Sequence, residues 1–383
     1  MDAARLLEDY VRGDFFLATT GRTVLGEGVA AALTDADEVR LSERVHDALA
    51  SADVPMAVGV LPFDSEAAGA TPGHLVLPRA VRLAGPAHPA VDRLPRSDVG
   101  APARTISVPA EQRHVDAVAS AITALRDRGL RKVVLARALD LEFDAPVRPE
   151  PILRNLVKDN PRGYTFAASL PSARTLVGAS PELLLSRTGS RVVSHPHAGS
   201  APRSPDPVTD TENGKALLSS RKDHIEHAVL TEAVVETLRP FCRKLDAPTV
   251  PDLVSTPTMW HLGTTVTGEL VDRDVTALRL AAALHPTPAI CGTPTGSARE
   301  LVNELEPFER GYYAGAVGWV DADGDGEWAV SIRCAEVAER SLRLYAGGGI
   351  LPESDPHAEL AETSAKFTTL LRAMGLEAGA TGW

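Results

Sequence analysis

The chain has 383 residues, 44% of them hydrophobic and 23% charged, enough apolar material for a sizeable core in one large domain or two. Its net charge of −12 argues against a surface built for nucleic acid or an anionic membrane, so an anionic ligand would need a local basic pocket. Three cysteines, Cys242, Cys291 and Cys334, lie far apart and give neither a metal spacing nor a disulfide framework, which points to a reduced, cytoplasmic setting.

Met1 to Gly13 carries acids and no long apolar core, so no secretory signal is expected there. No apolar run reaches the length of a membrane helix. Asp14–Thr19 reads as a short strand, Thr23–Ala31 as β-like with glycine turns, Leu41–Ala50 as a helix and Val54–Val60 as a buried strand. From Gly69 to Ala103 the chain is rich in Pro, Gly and Ala, and reads as irregular with one strand at His74–Leu77. Pro109 to Arg128 is a helix with the stripe Val115, Val118, Ile122 and Leu125, closed by Gly129.

Lys132 to Phe143 has β character, followed by short strands at Tyr164–Ser169 and Thr175–Val177. Leu183–Ser186 and Arg191–Ser194 flank a turn and read as a hairpin. Asp223–Thr237 and Ala358–Met374 are helical, and Thr264–Leu270, Gly315–Asp321, Glu327–Ala335 and Leu342–Ala346 are late strands. Without a regular βαβ alternation, the expected fold is α+β, with antiparallel sheets in a single large domain spanning 1–383. Asp321–Glu327 resembles part of a calcium loop but lacks its spacing and helices, and reads as a hairpin turn.

Two helices each present an acid pair at i, i+3. These are Asp223 with Glu226, and Glu359 with Glu362, the latter followed by Lys366. Such pairs are either solvated helix faces or hard oxygen ligands suited to Mg²⁺. Lys132 opens an apolar strand, and is a solvent-facing strand end or a desolvated base. Glu182, between a tight turn and Leu183–Leu185, is an exposed turn residue or a buried, protonated general acid. Arg333 sits among apolar neighbours, and a buried guanidinium needs an anion, internal or bound. His261 reads as a core histidine.

Taken together, several motifs resemble the chorismate-utilising enzymes, in order from about residue 110 to 375. They are Lys132–Arg137, Gly178–Leu183, Ala198–Ser200, Lys222–His227, Trp260–Leu262, Ser331–Arg333, Ala346–Ile350 and Glu359–Thr363. The first hundred residues match loosely, through Gly59–Asp64. The resemblance implies two large antiparallel sheets wrapped by helices, with a Mg²⁺-dependent site between them. Leu284–Gly292 and Glu306–Phe308 are most similar to isochorismate synthases. Members that make salicylate or anthranilate usually carry threonine in place of Ala289. Tyr313 stands where tyrosine accompanies salicylate formation, the alternative outcome.

By this resemblance Glu226 and Glu362 match Mg²⁺ ligands, with Asp223 and Glu359 holding metal waters. Lys132 matches the base that activates water, and Glu182 the acid that protonates the leaving hydroxyl. Arg333, Gly347 and Lys366 match substrate-binding groups, in a site that also takes in Gly199, Ser200, His261, Ala289 and Tyr313. The expected substrate is chorismate, with no glutaminase subunit and a monomeric chain. A non-catalytic metal- or anion-binding protein would not need Lys132 and Glu182. A two-carboxylate glycoside hydrolase would not need the acid quartet.

Overall fold

In the computed structural model, residues 2–65, 70–88, 91, 95–256 and 259–376 are described. Their strands form two large antiparallel sheets and one small one. The ten-stranded sheet contains Lys132–Glu142, which pairs along its length with Ser341–Ile350. Val133 to Ala138 are all buried, which accounts for a continuous apolar run where a half-exposed strand would alternate. The nine-stranded sheet includes Leu183–Thr188, Gly326–Val330 and Ala316–Asp321. A three-stranded sheet sets Met259–Gly263 between His197–Pro202 and Asp252–Ser255.

One core joins the two large sheets, through residues such as Leu135, Phe166, Leu185, Val317 and Trp328. A second core fills the space between the ten-stranded sheet and its helices, with Leu139 and Leu141 against Ile152, Phe367 and Leu371. The helix Pro356–Met374 starts where Asp355 accepts from the Ala358 amide, and stops at Gly375 in the left-handed region, φ 84°. It packs on Ser341–Ile350 and on the helices Glu111–Arg128 and Pro149–Asp159. Arg137, with no exposed surface, donates to Thr363 and Ser364 on that helix at 3.2 and 2.9 Å. The strand that begins at Lys132 is thereby tied to the helix that carries Glu359, Glu362 and Lys366.

The helix Arg221–Leu238 begins at Ser220, whose hydroxyl accepts from the Asp223 amide at 3.3 Å. It packs on His197–Pro202 and Met259–Gly263, so the small sheet lies beside the acid pair. The Asp321–Glu327 stretch is a hairpin turn between antiparallel strands. There the Asp321 carboxylate accepts from the amides of Asp323 and Asp325, at 3.0 and 2.9 Å.

Several features differ from the sequence expectation, which also missed the helices Ala3–Asp9, Pro207–Ser219, Ala277–Leu284 and Thr295–Leu305. Ala31–Asp35 and Ala80–Ala84 are strands, the second inside the stretch expected to be irregular. Both sit at sheet edges, where one partner strand supplies the hydrogen bonds and little apolar patterning is needed. The helix Pro149–Asp159 was not anticipated, although Pro149 and Pro151 fall in its first turn, where proline costs no hydrogen bond. Glu327–Ala335 is not one strand. It divides into Gly326–Val330 and Cys334–Val337, and the break holds Arg333 with φ 50°.

Candidate active site

Lys132 is the first residue of its strand, paired in register with Thr293. Its Nζ donates to Glu226 Oε1 at 2.5 Å, with the lysine side chain 11% exposed. The stem of Lys132 lies over Gly349, where a Cβ would come within 2.7 Å of Lys132 Cε. The neighbouring glycines meet other site residues in the same way. A Cβ on Gly348 would lie 3.0 Å from Glu359 Oε2, and one on Gly347 2.9 Å from the Tyr313 hydroxyl. Three successive glycines thus let one strand touch a lysine, a carboxylate and a phenol without side chains of its own.

Glu182 is buried, 4% exposed. Burial pushes its carboxyl up to about 7, and the His197 amide and the Lys132 charge only partly oppose this. Glu182 and Lys132 are therefore in electrostatic reach of one another, and the acid keeps its proton to near neutrality. Glu226 has the opposite balance. Burial raises its pKa, but the contact with Lys132 outweighs this and holds the carboxylate below its usual range.

Arg333 is half-buried, and the loss of water around it lowers its pKa. Among the described residues it has no carboxylate within ion-pair distance. Its closest polar partner is His261, with Nη2 3.4 Å from Nε2. His261 is pushed down to about 3 by burial and by the Arg333 charge, against a contact with the Gly199 carbonyl. A neutral imidazole can accept from the guanidinium. Ser200 faces His261 across the small sheet, and a Cβ on Gly199 would press on Asp223 at 3.0 Å. This sheet therefore brings Gly199, Ser200, His261 and Asp223 together, and His261 is half-buried beside Arg333 and not enclosed in the apolar core.

Lys366 Nζ donates to the Gly347 carbonyl at 2.8 Å and to Glu362 at 2.7 Å. Glu359 accepts from Ser354 at 2.7 Å through Oε1, while its Oε2 is buried with no partner. Burial and the nearby Glu362 charge raise the Glu359 pKa. The Lys222 charge acts on both Glu226 and Glu359, so the two acid-bearing helices converge. Among the described residues, no three of His, Cys, Asp or Glu form a ready-made metal cage. Asp223 instead bonds the Ser220 hydroxyl, and Glu226 bonds Lys132.

Tyr313 is 4% exposed and stacks on Tyr345, with ring centroids 4.7 Å apart. Ala289 is partly buried beside Ile290. A pair of which the sequence singled out only Glu306 holds this region. Arg310 and Glu306 are both buried, with charged groups 2.6 Å apart. Arg310 also donates to the carbonyls of Ile290 and Val134, and Glu306 accepts from the Ala136 amide. They occupy the gap along Lys132–Glu142 between Gly292–Thr293, paired at Lys132 and Val133, and Arg104–Val108, paired from Ala138 onward. The pair supplies hydrogen bonds that a strand would otherwise make, and fixes the Ala289 loop to the lysine strand. The i, i+4 spacing of a glutamate and an arginine beside Pro307 was the available sequence signal. Arg310→Met is expected to cost about 3–5 kcal/mol, because it strands a buried carboxylate. A urea midpoint equal to that of wild type would refute this role.

The profile described as a chorismate binding enzyme matches residues 91–375. The isochorismate synthase DhbC of Bacillus subtilis is 48% identical, over 98% of this chain and 97% of its own length. A Bacillus anthracis structure, described as a candidate 2,3-dihydroxybenzoate-specific isochorismate synthase, superposes with TM-score 0.90 at 43% identity, covering 98% of this chain and all of that one. The menaquinone-specific isochorismate synthase MenF of Escherichia coli shares the fold, with TM-score 0.83 at 24% identity over 97% of this chain and 91% of that one. With two large antiparallel sheets and a matching family profile over most of its length, the chain belongs to the chorismate-binding enzymes.

Proposed function

We propose that the chain is a Mg²⁺-dependent isochorismate synthase, which adds water at C2 of chorismate and releases the C4 hydroxyl. The observation that carries this reading is a buried carboxylic acid, Glu182, with a pKa of about 7, in reach of Lys132. The half-buried Arg333, with no carboxylate in ion-pair distance among the described residues, adds a place for one of the substrate's two carboxylates.

In this reading Lys132 takes a proton from water as its oxygen bonds to C2. The ring double bonds shift, and the C4–O bond breaks as Glu182 gives its proton to the departing hydroxyl, which leaves as water. One water enters and one leaves. Lys132 ends protonated and Glu182 ionised, so a proton must return from lysine to acid before the next turnover. Lys132 must also part from Glu226 before it can accept a proton.

The acid-bearing helices fit a hard divalent cation. All four candidate groups offer carboxylate oxygens, and the orphaned Oε2 of Glu359, crowded by the Glu362 charge, is a group a cation would satisfy. Glu226 and Glu362 would be its ligands, with Asp223 and Glu359 around them. When bound, the ion would neutralise the ring carboxylate and stabilise the charge that develops as the C4–O bond breaks. We also assign the chain a cytoplasmic setting, a monomeric state and no glutaminase partner. Its cysteines are unpaired, and among the described residues no helix is long and apolar enough to cross a membrane.

The expected product is isochorismate, released without loss of pyruvate. Salicylate formation requires the enolpyruvyl group to depart with a hydrogen from C2, and hence a fixed pose of the intermediate. Ala289 supplies neither the bulk nor the hydroxyl of a threonine, leaving room for the attacking water. Chromatography after incubation with chorismate and Mg²⁺ tests this. Pyruvate rising in step with chorismate loss, with salicylate as the aromatic product, would overturn it. Ala289→Thr is expected to slow isochorismate formation.

A further inference from the structure

Beside the catalytic groups lies a chamber of about 440 Å³, within the range of small-ligand pockets. It shares Lys132 and Glu226 with the site, whereas Glu182, His261, Tyr313 and Arg333 do not line it. Its rim is basic. Arg131, Arg221 and Lys222 are exposed, and among the described residues none of them has an ion-pair partner. Arg128, three residues before Arg131 at the end of its helix, is by contrast clamped by two hydrogen bonds to Glu304.

The wall is apolar, with Ile225, Val229 and Pro288 among its residues. Ile225 is 56% exposed, an unusual cost for a large hydrophobic side chain on a helix. Four cations in this chamber face two carboxylates, on a chain whose net charge is −12. A dianion repelled by the molecule as a whole is therefore attracted at this mouth.

We propose that this is an entry chamber that captures the dianionic ring substrate before it reaches Glu182 and Arg333. Arg131 and Arg221 bind its carboxylates, and the apolar wall takes the ring. The Lys132–Glu226 ion pair is the partition shared with the catalytic centre. The inference rests on the proposed reaction for its substrate, and its test separates the two.

The test is the Arg131→Gln/Arg221→Gln double variant, which leaves Lys222 and the metal-binding acids intact. At low salt KM for chorismate is expected to rise about fivefold, the scale of two exposed charge contacts, with kcat held within about twofold. The decline of kcat/KM with ionic strength is expected to be shallower than in wild type. A wild-type KM and salt slope would overturn the chamber, and so would a fall in kcat at constant KM. If wild type makes no isochorismate, the proposed reaction fails. Calorimetric titration with chorismate still reads the chamber, because Kd must weaken in the double variant at low salt and converge on wild type at high salt. Equal Kd at low salt would overturn it.

Discussion

Changing Glu182 to Gln is expected to lower kcat about 100-fold or more and, at about pH 8, to make the protein more stable. Both effects come from one burial. The folded pKa of about 7 lies above the ordinary 4.5, so the folded state holds this proton more tightly than the unfolded chain does. That contribution is fully present below 4.5 and is lost as pH rises through about 7. Above it, folding must bury a carboxylate. Gln removes that penalty, worth up to about 3 kcal/mol, and its carbonyl can still accept from the His197 amide. In wild type, activity is expected to fall as pH rises through about 7, since the acid must be protonated to act. A Glu182→Gln variant that keeps wild-type kcat, or shows no gain in melting temperature at pH 8, would remove the acid role. Lys132→Ala is expected to cost a similar factor in kcat, with a smaller change in KM because Arg333 remains. Near-normal turnover would dismiss Lys132 as the base.

Glu226→Gln and Glu362→Gln are expected to lose Mg²⁺ affinity and activity together, each by about 100-fold at limiting metal. The two variants separate metal binding from other roles, because their partners differ. Glu226 is the carboxylate bonded to Lys132, so its amide also releases the base from an ion pair. Glu362 is bonded to Lys366 and not to Lys132, and is exposed. A Glu362→Gln variant fully active at limiting Mg²⁺ would refute the shared-metal assignment. Direct calorimetry of Mg²⁺ binding gives a readout independent of turnover, and Glu362→Gln should weaken that binding.

Local pattern was enough to place most elements. The stripe Val115, Val118, Ile122 and Leu125 marks its helix because helical periodicity puts those residues on one face, where all four are buried. The acid pairs at Asp223/Glu226 and Glu359/Glu362 were legible for the same reason, since i, i+3 spacing fixes a common face before any tertiary contact exists. The antiparallel α+β class followed from the order of strands and helices. The resemblance of eight short motifs in sequence order carried the family.

Tertiary structure decided what depends on neighbours distant in the chain. Whether Glu182 is an exposed turn residue or a buried acid is set by the strands that close over it, and only burial raises its pKa. The partner of Lys132 is 94 residues away, so no local spacing could show it. The strand break at Arg333 looks continuous in sequence because residues on both sides are apolar and β-forming, and its φ of 50° has no local signal. The Glu306–Arg310 pair has ordinary helical spacing, yet it fills a gap between two strands that pair with the same neighbour. Sequence determines which side chains share a local face. Burial, charge pairing and strained backbone arise only when remote segments displace water from around them, and those are the properties from which this site's proposed chemistry is built.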